Sequence, residues 1–139
     1  MAIRGLPITL KIDGVDREFN MPVNMRAFMT LIEAGIDPVI LMRDVGRKIS
    51  GAAKENREPD LEDYSLDLTG AQMIRAAHVG IREGGSKLSL DKIGEAMLEA
   101  GIHCYDECIT AYVLAFNTGG EERQYTPEGG TDSPLPDKA

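Results

Sequence analysis

Few side chains in this 139-residue sequence are equipped for chemistry, and most of those fall between His103 and Cys108. His103, Cys104 and Cys108, with His78 on a separate segment, include the ligand types of a zinc site. Structural zinc, however, is usually held by knuckles and turns at spacings such as Cys-x2-Cys. Cys108 falls inside an apolar stripe instead, where a cysteine behaves as a small hydrophobe. A thiolate nucleophile with His103 as its base fails on direction, because neighbouring helical positions point about 100° apart and His103 does not reach Cys104 as a catalytic pair must. His78 approaches a cysteine only if the tertiary fold brings it there. Asp106 and Glu107 are explained by the helix dipole, which favours carboxylates in a first turn. Gly84-Gly85 follows a helical pattern rather than a strand and lacks the Lys-Ser/Thr of a phosphate loop. Lys54 and Arg57 alternate with Glu55 and Glu58, the pattern of a solvated segment. No residue set asks for an enzyme, a cofactor or a metal, and the expectation is an interaction module.

Of the seven methionines, Met25, Met29 and Met42 stand out because they fall on the first two helical patterns. Apolar residues at helical spacing ordinarily fill a core. Methionine surfaces also adapt to varied apolar partners, and these three are the candidate partner-binding residues.

The elements that position these residues are marked by periodicity and capping. Ile8, Leu10 and Ile12 alternate with Thr9 and Lys11, and after Asp13-Gly14 the residues Val15, Phe19 and Met21 fall on alternate positions. The pattern predicts a β-hairpin. With Asp13-Gly14 as a two-residue turn, Ile12 faces Val15, Ile8 faces Phe19 and Lys11 faces Asp16; a four-residue loop over 13–16 is the competing register. Pro22 ends the ribbon, and Asn24 caps a first helix with Met25, Phe28, Met29 and Ile32 as its apolar stripe. Gly35 closes it. Asp37-Pro38 starts a second helix with Leu41, Met42, Val45 and Ile49 on its apolar face. Residues 50–67 lose the apolar period and read as a long polar loop or linker. A third helix runs from about Thr69 to Glu83 on Ile74, Ala77 and Ile81, and Ser89 caps a fourth built on Leu90, Ile93 and Met97 and closed by Gly101. Tyr105, Cys108, Ile109, Tyr112, Val113 and Phe116 mark a fifth, core helix.

The fold class is therefore mainly α (α+β): an N-terminal hairpin followed by about five helices in a single domain over 1–118. From Gly119 the chain is rich in Gly and Pro with five acidic and two basic residues, which predicts a disordered acidic tail over 119–139. Lys and Arg number 15 against 23 Asp and Glu, a formal net charge of −8. That balance argues against nucleic-acid binding, which draws its affinity from basic side chains displacing counterions. No apolar run approaches the roughly 18 residues of a membrane span. Without a secretory h-region, and with only two cysteines, the expected location is cytoplasmic with reduced thiols.

The order of features resembles the tail assembly chaperones of long-tailed bacteriophages and gene transfer agents. Leu10, Asp13, Gly14, Arg17 and Phe19 match that family's hairpin opening. Asp67, Leu68, Thr69, Gly80, Ile81 and Arg82, with Leu88, Ser89 and Ile93, match its second segment, so that the resemblance spans roughly residues 8 to 117. It implies a non-enzymatic phage or prophage protein of the bacterial cytoplasm, acting as a homo-oligomer. Such a protein binds the tail tape measure protein while tail tube subunits polymerise around it, and a longer form arises by programmed frameshifting. The alternative is a small structural or adaptor protein of the phage head-tail connection.

Overall fold

A computed structural model of the chain describes residues 5–60, 63 and 66–118. Its elements are β1 (Gly5–Ile12), β2 (Val15–Pro22), α1 (Met25–Glu33), α2 (Pro38–Lys54), α3 (Gly70–Glu83), α4 (Leu90–Ala100), a 3-10 turn (Ile102–Tyr105) and α5 (Asp106–Ala115). This is the expected hairpin with five helices, and residues 119–139 lie outside the described residues.

The two strands pair antiparallel with Ile12 opposite Val15, Lys11 opposite Asp16 and Ile8 opposite Phe19. Of the two candidate registers, the two-residue turn is the one adopted. Asp13 (φ 53°) and Gly14 (φ 80°) both take the left-handed conformation, which matches the turn to the twist of the strands. Alternation then sends Ile8, Leu10, Ile12, Phe19 and Met21 to one buried face. A two-stranded ribbon is marginal alone, and here α3 packs under β2 while α4 and α5 pack on β1.

Helix α3 approaches the ribbon closely because Gly80 and the capping residue Gly84 that follows the helix lack side chains. A Cβ built on Gly80 would sit 2.7 Å from Cβ and Cγ of Met21, and one on Gly84 would collide with the backbone carbonyl of Asn20. Tyr112 of α5 is fully buried and donates its hydroxyl proton to the Pro22 carbonyl at 2.9 Å, tying the last helix to the end of β2. Phe116 meets Tyr112 edge-on at 5.2 Å and Phe28 of α1 at 5.9 Å.

Each predicted cap forms. The Asn24 side chain accepts from the Ala27 amide at 2.9 Å, Asp37 from Val39 at 3.0 Å, and Ser89 from Lys92 at 3.1 Å. Thr69 and Gln72 make a reciprocal capping box at 3.1 and 2.9 Å.

The polar segment expected from residue 50 starts later, because α2 continues to Lys54. Ser50 and Gly51 weaken a helix by up to about 1 kcal/mol each, but Ile49 packs against the core and Ala52 is fully buried. The stop is Asn56, left-handed at φ 55°, after which the Arg57 amide reaches back to the Ala52 carbonyl at 2.9 Å. Gly35 and Gly85 close α1 and α3 through the same backward bond, Ile36 to Leu31 at 2.9 Å and Ser86 to Ile81 at 3.2 Å. In the connection that follows, Arg57 bridges Asp63 at 2.8 Å and Glu55 at 3.3 Å.

Candidate functional site

The helix stripe read from Met25, Phe28, Met29 and Ile32 is present, but it is not the stripe that α1 buries. Ala27 and Leu31 face the core, Phe28 is half-buried against α5, and Met25, Met29 and Ile32 are exposed at 79%, 48% and 37%. At 3.6 residues per turn, Ile32, Met25 and Met29 lie about 100°, 120° and 160° around the helix from Leu31. The apolar arc of α1 is thus wider than the roughly 100° a core-facing helix needs, and the surplus is turned to solvent.

Helix α2 repeats the pattern at its N-terminal half. Pro38, Val45 and Ala52 are buried, one contact in every two turns, with Leu41 and Ile49 beside them. Met42 lies about 60° from Val45 on the wheel and is 44% exposed, next to the exposed Val39. The principal neighbours of α2 are α1 and α5, fixed further by the Asn117 amide on the Pro38 carbonyl at 3.1 Å and by a Lys48–Asp67 ion pair at 3.0 Å. All three candidate methionines therefore stand on exposed apolar strips of two helices that pack on each other.

The residues considered for catalysis and metal binding go to separate places. His103 is exposed and its Nδ1 lies 3.1 Å from Asp106 on the next turn. The Cys104 thiol donates to the Ala100 carbonyl at 3.3 Å, and the Cys108 thiol to the Pro7 carbonyl of β1 at 3.4 Å. Burial pushes the Cys108 thiol above its ordinary pKa, which keeps it protonated and poorly nucleophilic. Among the described residues, no three His, Cys, Asp or Glu side chains are grouped to hold a metal. The Tyr112 phenol is likewise pushed well up by burial and secondarily by Glu83, in keeping with its role as a donor to Pro22. No helix of the described residues is long and apolar enough to cross a membrane.

His78 lies elsewhere, on the outer side of α3. It lines a cleft of about 460 Å³ together with Arg82, Gly85, Ser86, Lys87, Leu88 and Ser89. It also lines a second cleft of about 490 Å³, shared with Thr30, Glu33 and Ala34 of α1, Arg75 and Val79 of α3, and Leu90. Burial, and then the neighbouring Arg82, hold its imidazole below the ordinary value. Nothing in the sequence reading singled out this groove, since Arg75, Arg82 and Lys87 are scattered along the chain. The usable signal was the spacing of Arg75, His78 and Arg82, which puts them on one helical face.

No protein-family model, curated protein or solved structure matches this chain.

Proposed function

We propose that this protein is a non-enzymatic assembly chaperone of a phage or prophage tail, which holds the apolar face of a helical tape measure protein against Met25, Met29 and Ile32 of α1 and Met42 of α2. The observation that carries the reading is the surplus apolar arc of α1. A single short helix spends part of its hydrophobic face on the core and leaves three large side chains outside it. Unbranched methionines accept client side chains of varied shape and register, which suits a client that is long and repetitive. The formal charge of −8 keeps such a loaded complex soluble, and several copies bound along one client add their affinities through proximity. The order of hairpin and capped helices resembles that of tail assembly chaperones, and the choice of a tape measure protein as client rests on that resemblance; partner tube subunits and self-association belong to the same proposal.

Coexpression with the candidate tape measure protein, followed by copurification, tests the reading. The Met25→Ala, Met29→Ala, Met42→Ala triple variant should fold with an unchanged circular dichroism spectrum and lose the client. Client recovery equal to that of the parent protein would remove the proposal. Recovery of this chain in finished virions would favour the head-tail adaptor instead, because a chaperone leaves before assembly ends.

A further inference from the structure

Two clefts adjoin at His78 on the outer face of α3, one bounded by the C-terminal end of α1 and the other by residues 85–89, and this pair of clefts is the groove. Its lining residues include Arg75, Arg82 and Lys87 against one carboxylate, that of Glu33. Among the described residues none of these three cations makes an ion pair. Glu83, the adjacent acid on α3, is taken by Arg26 at 3.4 Å. A basic groove on a chain of net charge −8 is locally opposite in sign to the molecule that bears it.

We infer that this groove docks an acidic peptide segment of a partner protein, with its carboxylates on Arg75, Arg82 and Lys87 and its apolar side chains on Leu88 and Leu90. The spread of the charges selects an elongated occupant. Arg75 and Arg82 are separated by seven helical residues, about 10 Å along the axis, and line different clefts, so an occupant that meets both extends along α3. The exposed Leu90 and half-buried Leu88 add apolar wall that a bare polyanion leaves unused. A nucleic acid needs a longer basic track, and the acidic remainder of the surface repels its backbone. The groove is independent of the methionine strip, since it meets α1 at Thr30, Glu33 and Ala34, on the other flank from Met25, Met29 and Ile32.

The test is an NMR titration of the isotopically labelled full chain with a peptide of about fourteen residues built from Glu and Leu, beside its Gln-for-Glu counterpart. Saturable shifts centred on the amides of Arg75, His78, Arg82 and Leu88 are expected. The Gln peptide and the Arg82→Glu, Lys87→Glu variant should each bind about tenfold more weakly, and so should the parent pair when salt rises from about 50 to about 300 mM. Arg82 and Lys87 are exposed, and an unchanged melting curve confirms that the variant is folded. Equal binding of the Gln peptide, shifts centred away from the groove, or displacement of the Glu peptide by lower concentrations of inorganic phosphate or of a short single-stranded oligonucleotide would each overturn the inference.

Discussion

Six methionines of this chain divide evenly between two regions. Met21 of β2, Met73 of α3 and Met97 of α4 are buried, at 0%, 6% and 0% exposure, while Met25 and Met29 of α1 and Met42 of α2 are exposed. Residue type is the same in both groups, and Met73 and Met97 lie on helices as the exposed three do, so the difference comes from what surrounds each element. Helix α3 has β2, α1, α4 and α5 against it, and six of its fourteen residues are buried. Helix α2 is longer, at seventeen residues, yet buries three. The inner region uses its apolar surface to hold the fold, and the outer one leaves part of that surface available to something else.

The sharpest way to break this division is to truncate one methionine from each side. Met97→Ala or Met73→Ala removes buried atoms and should cost about 2–5 kcal/mol, whereas Met25→Ala should stay within about 0.5 kcal/mol, as exposed substitutions do. Urea unfolding of the three variants gives the comparison directly. A Met25→Ala loss as large as that of Met97→Ala would mean that α1 uses its outer stripe for folding, and the docking reading would go with it.

Next in size are the glycines that let α3 approach the ribbon. Gly84→Ala and Gly80→Ala should each destabilise by about 1–3 kcal/mol through overpacking, although alanine favours a helix interior by nearly 1 kcal/mol over glycine. Gly84 is the cleaner case, since its φ of −78° suits any residue and the obstruction is the backbone oxygen of Asn20. Gly46 of α2, with nothing within 4 Å of a Cβ placed there, serves as the control. Gly46→Ala should be neutral or stabilising in the same thermal melts.

Smaller again is the hydrogen bond that ties α5 to the ribbon. Tyr112→Phe keeps the ring against Phe116 but leaves the Pro22 carbonyl without the donor now 2.9 Å away. The expected loss is about 0.5–1.5 kcal/mol. A melting temperature equal to that of the parent would show that solvent replaces the hydroxyl, and that this end of the core is less closed than the buried tyrosine implies.

Local chemistry made most of the fold legible in the sequence. Asp13-Gly14 marked the hairpin turn while leaving two registers open, and Asn24, Asp37 and Ser89 each capped the helix they precede. The end of α2 was not legible, because Asn56 is a weaker stop signal than Gly35 or Gly85 and because Ala52, which is buried in the last turns, carries no apolar period of its own. For the site, the stripe Met25, Met29 and Ile32 was readable as helical, but periodicity does not say which part of a wide apolar arc will find a neighbour. That is decided by Ala27 and Leu31, whose burial depends on α3 arriving from elsewhere in the chain. The basic groove depends on tertiary placement in the same way, since Lys87 and Leu90 join Arg75 and Arg82 only after α3 turns into α4.

The smallest expected effect probes the outer side of α3, where the inner and outer regions meet. Burial lowers the His78 pKa in the native state below its ordinary value of 6.5, and Arg82 adds to the shift. An unfolded chain then binds more protons than the native one once pH drops below about 6.5, so stability must rise with pH in that range. The contribution is fully present above the unfolded value and is lost as pH falls from there through the native value, with no further change below it. His78→Gln keeps a polar side chain in the groove and removes the titration. Denaturant midpoints of the parent and the variant, compared between about pH 5 and pH 7.5, should show the parent losing stability relative to the variant as pH falls, whichever of the two is the more stable at neutral pH. His103 is present in both proteins and cancels from the difference. The effect is small because the imidazole is only partly covered. A pH-independent difference would place His78 in full contact with water, and the groove would then be a shallow surface rather than a cleft that half-encloses its lining residues.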